Sequence, residues 1–272
     1  MKPIQLLNQP IYKQAHFFEP FALTDVLIET CGETNQPFLH FWQLESGMIL
    51  GMKDTRLPHL TDGLTSLAAT GYHPVVRNSG GLGVVADAGI LNVSLILPLQ
   101  EQKLTTDEAY EKMYHLIQDA FPEVVITPGE VATSYCPGEF DLSVAGQKIA
   151  GIAQRRIKKG VAIMLYLSVN GNQENRGKLV RNFYQAGLKE AFGTMGYPEV
   201  NPNSMANLEE FLPERLTVTE VMQRLASAFP QSPLLDTKDW LNNLPDQSSY
   251  QKRLASMQER NQIIKEHGYD SL

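Results

Sequence analysis

The chain has 272 residues, a hydrophobic fraction of 43% and a formal net charge of −7 at neutral pH. This length suits one large domain, or a domain with a small appendage, and the composition predicts a well-packed core. No apolar run reaches the roughly 20 residues that a membrane helix requires, so we expect no membrane span. The acidic balance disfavours broad nucleic-acid binding, which depends on neutralising phosphates with Lys and Arg.

The two cysteines, Cys31 and Cys136, are too few for a disulfide framework. The N-terminal segment lacks the apolar core and the cleavage site of a signal peptide, which indicates a cytoplasmic, reducing setting. We therefore expect both cysteines to be free thiols. The six histidines show no metal-binding spacing, so no metal site is expected.

Hydrophobic periodicity and turn residues predict mixed helices and strands in chain order. Helices are expected at 21–30 (closed by Gly32), 61–69, 106–121, 174–185, 217–229 and 248–267. Strands are expected at 38–44, 48–52, 74–77, 91–97, 124–126, 140–144, 148–156 and 161–169. Turns at 145–147 and 158–160 should make the last strands antiparallel neighbours. This order favours an α+β fold over a doubly wound one.

The composition shifts at 193–207, which is rich in Gly, Pro and Asn. The elements expected after this stretch are mostly helices. We therefore predict two parts, a core over 1–200 and a helical C-terminal extension over 201–272 that packs on it.

A glycine-rich segment, VVRNSGGLGVVADAG at 75–89, follows one of the predicted strands. Gly80, Gly81 and Gly83 would let the backbone approach a ligand closely, and Arg77 supplies a polar group. No Gly-Lys-Ser/Thr follows, so the segment is not a P-loop, and it fits the dinucleotide pattern poorly. Taken alone, it is better explained as a bulge in a hairpin.

A second segment places Cys136 in a Ser-Tyr-Cys-Pro-Gly turn and Lys148 in the Gly-Gln-Lys-Ile-Ala-Gly hairpin that follows. A thiol can hold an acyl group as a thioester, and a nearby ammonium stabilises both a thiolate and an oxyanion. This pairing predicts acyl transfer through a covalent intermediate. Taken alone, Cys136 is better explained as a small buried hydrophobe and Lys148 as an exposed hairpin residue.

Together the two segments resemble the signatures of lipoate-protein ligases and their acyltransferase relatives. RNSGGLGVVAD at 77–87 is similar to that family's Arg-x-Ser-Gly-Gly-Gly-x-Val-x-His-Asp loop, and DLSVAGQKIAG at 141–151 to its Gly-x-Lys-x-x-Gly hairpin. The cysteine turn resembles more specifically the octanoyl-[glycine cleavage H protein]:protein octanoyltransferases. The resemblance covers most of the chain and implies a biotin/lipoate-ligase-like α+β catalytic domain, with mixed sheets, flanking helices and a mostly helical C-terminal part.

The resemblance implies transfer of an octanoyl or lipoyl group from a lysine of the glycine cleavage H protein to the lipoyl-domain lysine of 2-oxoacid dehydrogenase E2 subunits. Cys136 would carry the thioester, and Lys148 would orient the carbonyl and stabilise the oxyanion. No ATP or metal would be needed. The implied substrate-binding residues are Arg77, Ser79, Gly80, Gly81, Gly83, Asp141 and Gly151. The implied acyl tunnel would be lined from Val84, Val85, Ile149 and Ile152.

Two departures from the ligase pattern matter: Ala86 stands where ligases carry His, and Phe140 where they carry Asn. The absence of the ligase His and Asn side chains makes ATP-driven chemistry less expected. Three alternatives stay open: an octanoyl-acyl carrier protein:protein octanoyltransferase, an ATP-dependent lipoate-protein ligase, and a non-catalytic lipoyl-domain binding protein.

Two charged features also allow two interpretations. Arg77 is either a ligand contact or a surface charge paired with Asp87. The run QRRIKK at 154–159, which includes Arg155 and Arg156, is either a solvated hairpin end or a positive patch that steers an acidic partner.

Overall fold

The computed structural model describes residues 2–99 and 104–269. Its strands are β1 (Gln5–Tyr12), β2 (Phe38–Leu44), β3 (Ser46–Leu50), β4 (His73–Val76), β5 (Val84–Asp87), β6 (Ile90–Pro98), β7 (Thr127–Pro128), β8 (Leu142–Val144), β9 (Gln147–Ile157), β10 (Gly160–Ser168) and β11 (Leu234–Asp236). Its helices are α1 (Glu19–Thr34), α2 (Leu60–Ala68), α3 (Thr106–Ala120), α4 (Gln173–Leu188), α5 (Val218–Ser227), α6 (Thr237–Asn242), α7 (Ser248–Arg260) and α8 (Gln262–Glu266).

The described strands form two sheets. The larger has eight strands in the order β11-β1-β2-β6-β10-β9-β8-β7, and the smaller has three in the order β4-β3-β5. In the larger sheet β1 runs parallel to β11 and β2, and the other neighbours are antiparallel. Mixed sheets joined by hairpins, with flanking helices, confirm the predicted α+β class.

Helices cover both faces of the larger sheet. Successive side chains on a strand alternate between the two faces, so each strand contributes to two cores. On one face α1 packs against β6 and β10, and α7 lies on α1. On the other face α3 and α5 bury Met113 and Val221 against the sheet. Among the described residues, no helix combines the length and the apolar character needed to cross a membrane.

Several predicted elements are confirmed closely. The strand at 38–44 has the predicted bounds, and α3 starts after a capping box in which Thr105 and Glu108 bond each other's backbone. Both predicted turns join antiparallel strands, β8 to β9 and β9 to β10.

Helix α1 extends beyond the predicted end because Gly32 does not terminate it. A Cβ on Gly32 would lie 2.8 Å from the carbonyl carbon of Lys159, so this glycine serves the close approach of α1 to the β9–β10 turn. The helix is instead closed by Asn35, which adopts the left-handed conformation with a φ of 56°.

The predicted strand at 124–126 is wrong. The side chain of Gln118 bonds the carbonyl of Val124 and the N–H of Ile126, so these backbone groups pair with α3 rather than with a strand. The helix expected at 248–267 is divided at Asn261 into α7 and α8. Five of these strands and helices had no predicted counterpart: β1, β5, β7, β11 and α6.

The segment after residue 200 contributes to the larger sheet as well as to the helical layer. Strand β11 pairs with β1, and the buried Asn261 bonds both the N–H and the carbonyl of Val76 at the end of β4. The proposed division into parts 1–200 and 201–272 stays a prediction.

Candidate active site

A cavity of about 300 Å³ lies between α1 and the larger sheet. Gly80 and Gly81 at its mouth are exposed, and Cys136 is half-buried. Its inner wall is buried and mainly apolar, and includes Phe21, Trp42, Ile49, Val84 and Ser94. This volume is at the low end for small-molecule pockets, which fall between about 300 and 1,000 Å³. The shape and lining suit a short acyl chain.

The sulfur of Cys136 accepts hydrogen bonds from two donors of the glycine-rich segment. The backbone N–H of Leu82 lies 3.1 Å from Sγ, and Nη2 of Arg77 lies 3.5 Å from it. A guanidinium and an oriented N–H both stabilise negative charge on sulfur. Cys136 itself adopts a left-handed conformation, with a φ of 49°, which is uncommon for a non-glycine residue and frequent at functional sites. The two donors therefore lie where they would stabilise negative charge on this sulfur.

Tyr135 anchors the cysteine turn in the core. Its ring is 1% exposed, and its hydroxyl is hydrogen bonded to the Tyr166 hydroxyl at 2.7 Å and to Nε2 of Gln173 at 2.8 Å. Because the neighbouring residue is fixed in this way, Cys136 is held in its strained conformation at the mouth of the cavity.

The ammonium of Lys148 is almost completely buried under the same turn. Its Nζ donates to the carbonyls of Cys136 (2.8 Å) and Tyr135 (3.0 Å) and to Oγ of Ser134 (3.2 Å). It also lies 2.9 Å from Oδ1 of Asp141. Lys148 therefore connects β9 to the backbone that carries the cysteine, and it also lines the cavity.

Asp141 is the counter-charge of this ammonium. Its Oδ2 accepts hydrogen bonds from the N–H groups of Gly138 and Val131. Burial raises the pKa of the Asp141 carboxyl, and the adjacent Lys148 ammonium opposes that rise. The ion pair is thus buried, charged and hydrogen bonded on both sides, which is the arrangement in which removal of one partner is most damaging.

The glycine-rich segment makes its close approach to the sulfur at Gly81, whose φ is 101°. A Cβ there would lie 2.2 Å from Nη2 of Arg77 and 3.0 Å from Sγ of Cys136, so any side chain would displace both groups. The predicted substrate-binding residues Ser79 and Gly80 line the cavity nearby, and Gly151 lines it beside Lys148. Gly83 packs against the hydroxyl of Tyr184 instead.

Comparison of the sequence with known proteins identifies the family of this chain. Residues 16–230 match the lipoyl protein ligase A/B catalytic domain. The chain belongs to this family. It is 44% identical to the octanoyl-[GcvH]:protein N-octanoyltransferase of Exiguobacterium sibiricum over 82% of this chain and 85% of that protein. It is 40% identical to the lipoyl-[GcvH]:protein N-lipoyltransferase of Listeria monocytogenes over 76% of each.

Solved structures of lipoyl protein ligases share the fold. A lipoate-protein ligase A bound with ATP aligns with a TM-score of 0.67 and 16% identity, covering 95% of each chain. A bipartite lipoate protein ligase from Thermoplasma acidophilum aligns with a TM-score of 0.65 and 16% identity, covering 100% of this chain and 98% of that one. The catalytic-domain fold expected from the resemblance is confirmed.

In this lipoyl protein ligase A/B family member, Arg77 does not pair with Asp87. The Asp87 carboxylate lies 2.6 Å from the buried Arg176 and accepts a hydrogen bond from Tyr72, whereas Arg77 faces Cys136 and donates to the carbonyl of Leu82. The surface-charge interpretation of Arg77 is therefore wrong.

Of the four residues predicted to line an acyl tunnel, only two line the cavity. Val84 and Ile152 line the cavity, whereas Val85 and Ile149 are buried in the two cores on the other sides of their strands. Val85 directly follows Val84 on β5, and Ile149 precedes Ile152 by three positions on β9, so in each pair the two side chains lie on opposite faces of the strand.

Two buried hydrogen-bond donors in the cavity wall were not predicted from the sequence. Nε1 of Trp42 and Nδ2 of Asn92 have no hydrogen-bond partner among the described residues, and the two residues face each other on β2 and β6. The Leu82 N–H, Ser134 and Tyr135 were also not predicted as parts of the site. The only sequence signal for any of them was the position of Ser134 and Tyr135 beside Cys136.

Cys31 and His73 have structural positions. Cys31 is completely buried in α1, and burial raises the pKa of its thiol to about 12, so it stays protonated. His73 bonds the hydroxyl of Tyr269 and is not among the described residues that line the cavity. Within the described chain, no group of three His, Cys, Asp or Glu side chains could hold a metal ion.

The contacts of the basic run at 154–159 weigh against the positive-patch interpretation. Arg155 bonds both carboxylate oxygens of Asp25 on α1, at 2.6 and 2.9 Å, and also the carbonyl of Asn78. Lys158 lies within 4 Å of Glu29 and Glu33. Acidic groups of α1 therefore neutralise much of the run, and Arg155 instead connects α1, β9 and the glycine-rich segment.

We predict that Arg155→Glu destabilises the protein by about 2–4 kcal/mol, since it places a like charge beside the buried Asp25 carboxylate, which keeps only the longer contact with Arg253 at 3.6 Å. Arg156→Glu is the matched control, because Arg156 is exposed and bonds only the side chain of Gln154. Its effect should stay within about 0.5 kcal/mol. Urea unfolding of the two variants measures both values, and equal stabilities would contradict a structural role for Arg155.

Proposed function

We propose that this chain transfers an octanoyl or lipoyl group from a lysine of the glycine cleavage H protein to the lysine of lipoyl domains, through a thioester on Cys136. The observation that carries the proposal is the Cys136 sulfur at the mouth of an apolar cavity, with the Leu82 N–H and the Arg77 guanidinium directed at it. The H-protein donor is favoured over acyl carrier protein because the relatives named above are GcvH-dependent transferases. We assign the reaction to the cytoplasm, without ATP or metal.

In the first half-reaction the Cys136 thiolate attacks the carbonyl carbon of the acyl-lysine amide. The C–S bond forms, and the amide oxygen becomes an oxyanion. When the oxyanion collapses, the C–N bond breaks and the donor lysine leaves as an amine that gains one proton. The proton is formally that of the thiol, so the half-reaction needs no external reagent.

In the second half-reaction the lipoyl-domain lysine occupies the place of the first amine. Its neutral nitrogen attacks the thioester carbonyl, the C–N bond forms and the C–S bond breaks. The acceptor nitrogen gives up one proton, and the thiol is regenerated. One amide replaces another of the same type, so the exchange is nearly balanced in free energy and does not require ATP.

Lys148 has two roles in this scheme. Its hydrogen bonds to the carbonyls of Tyr135 and Cys136 fix the turn that carries the nucleophile. Its positive charge at the cavity wall stabilises the oxyanion in surroundings from which the acyl chain excludes water. Asp141 pairs with the buried Lys148 side chain and orients it.

We expect purified enzyme to move the octanoyl group from octanoyl-H protein to a lipoyl domain without nucleotide. Cys136→Ala should lower the rate by at least about a thousandfold, because no thioester can form. Cys31→Ala is the matched control and should retain activity, since its sulfur is buried elsewhere. The acceptor mass is measured with time, and transfer that requires ATP or survives in Cys136→Ala would refute the proposal.

The inner wall of the cavity should limit the length of the acyl chain. Ser94 on β6 pairs with Met164 on β10, which pairs with Ala153 on β9, so Ser94 lies two strand spacings, about 10 Å, from β9. This depth suits an extended eight-carbon chain entering from the cysteine side.

Ser94→Leu should therefore fill the inner end and reduce transfer of octanoyl more than that of hexanoyl, by about tenfold in the ratio of kcat/KM values. Parallel assays with hexanoyl- and octanoyl-H protein measure this ratio, and hexanoyl transfer serves as the internal control for folding. An unchanged ratio would show that the chain does not extend to Ser94.

A further inference from the structure

A completely buried carboxylate, Asp54, lies behind the glycine-rich segment, on the side away from the cavity. It is 0% exposed and begins a short 3-10 helix, Asp54–Arg56. Its Oδ2 accepts the N–H of Gly51 at 2.7 Å, and its Oδ1 accepts the hydroxyl of Tyr184 at 2.9 Å. Neither Asp54 nor Tyr184 is among the described residues that line the cavity.

The Tyr184 hydroxyl extends this contact to the glycine-rich segment. It accepts the N–H of Gly83 at 2.9 Å. The next residue back along the chain is Leu82, whose N–H is directed at the Cys136 sulfur. A continuous series of hydrogen bonds therefore runs from Asp54 through Tyr184 to the backbone that holds the nucleophile.

The same carboxylate also fixes the opposite side of the segment. A Cβ on Gly51 would lie 1.8 Å from the carbonyl oxygen of Gly81, so the two backbones touch at this point. Asp54 bonds Gly51 directly, and it is linked to Gly83 through Tyr184. It therefore fixes both the backbone at Gly51 and the glycine-rich segment at their point of contact.

We propose that Asp54 and Tyr184 are positioning residues that hold the Leu82 N–H on the Cys136 sulfur. They act through the backbone and do not touch the acyl group. The inference rests on the proposed role of Cys136 as the nucleophile.

Loss of the Asp54 charge should loosen the segment. A protonated Asp54 carboxyl carries an O–H group on one of its two oxygens. The groups that face these oxygens, the Gly51 N–H and the Tyr184 O–H, are both hydrogen-bond donors. One hydrogen bond is therefore lost or reversed. Burial raises the pKa of Asp54 to about 6, opposed by its bonds to Gly51 and Tyr184 and by the charges of Arg77 and Lys53. The other titratable groups facing it are Tyr197 and, beside that ring, Arg56.

The test measures the rate at which iodoacetamide alkylates Cys136 in the full-length protein, with Asp54→Asn and Tyr184→Phe compared with wild type. We expect about tenfold slower alkylation in both variants at neutral pH, with kcat of octanoyl transfer reduced in proportion and KM little changed. As the pH falls, Cys136 in the wild-type protein should also lose reactivity through protonation of Asp54 near pH 6. Asp54→Asn should lack this transition. Tyr269→Phe is the matched control, because it removes a buried hydroxyl that bonds the Tyr72 carbonyl away from this segment.

Two further readouts separate positioning from unfolding. Cys31, which is buried in the folded chain, should stay unreactive in every variant. Hydrogen exchange should become faster in peptides that span 79–84 and stay unchanged in peptides from β6. The inference would be overturned if Asp54→Asn and Tyr184→Phe were alkylated at rates within twofold of that of Tyr269→Phe. Faster hydrogen exchange throughout the chain would also overturn it.

The outcome is independent of the test of function. Slower alkylation in a protein that forms no thioester would refute the proposed function and leave the positioning role intact. Normal alkylation in the variants of a protein that does form the thioester would refute the positioning role alone.

Discussion

The buried ammonium of Lys148 joins the two parts of the chain on which the proposed chemistry depends. It lies on β9, in the centre of a hydrogen-bonded hairpin, and its donors go to the backbone of the cysteine turn and to Asp141. A charge can remain in such a position only when its hydrogen bonds are satisfied. The cysteine turn supplies these bonds, so the position of the nucleophile and the burial of the ammonium determine each other.

The glycine-rich segment meets this assembly from the opposite side. Gly81 permits contact with both Arg77 and Cys136, and the segment is held at its rear by hydrogen bonds rather than by apolar packing alone. Arg155 adds a third support, since it joins α1 to the carbonyl of Asn78. The Cys136 sulfur, in a strained backbone conformation, is thus held from several sides, which is the preorganisation that the proposed covalent catalysis requires.

The features that sequence could predict are those encoded locally. The helix predicted at 106–121 matches α3, and the glycines with Cys136 and Lys148 indicated the two segments of the site, although their joint meaning came from the family resemblance. The failures concern distant partners. Gly32 looked like a helix terminus because the approach of Lys159 cannot be read from neighbouring residues. The pairing of Arg77 with Asp87 stayed open as one of two interpretations because nothing in the sequence indicates that Arg176, 89 residues away, binds Asp87. Asp54 and Tyr184 belong to no motif, and only the fold brings them to the glycine-rich segment.

The central claim is that Cys136 carries the acyl group. Its most direct test is intact mass spectrometry of the enzyme after brief mixing with octanoyl-H protein, without nucleotide or acceptor. The account predicts one added octanoyl group, located on Cys136 by peptide mapping, released by hydroxylamine and absent from Cys136→Ala. An acyl group found on another residue, or no adduct in an enzyme that still completes transfer, would contradict it.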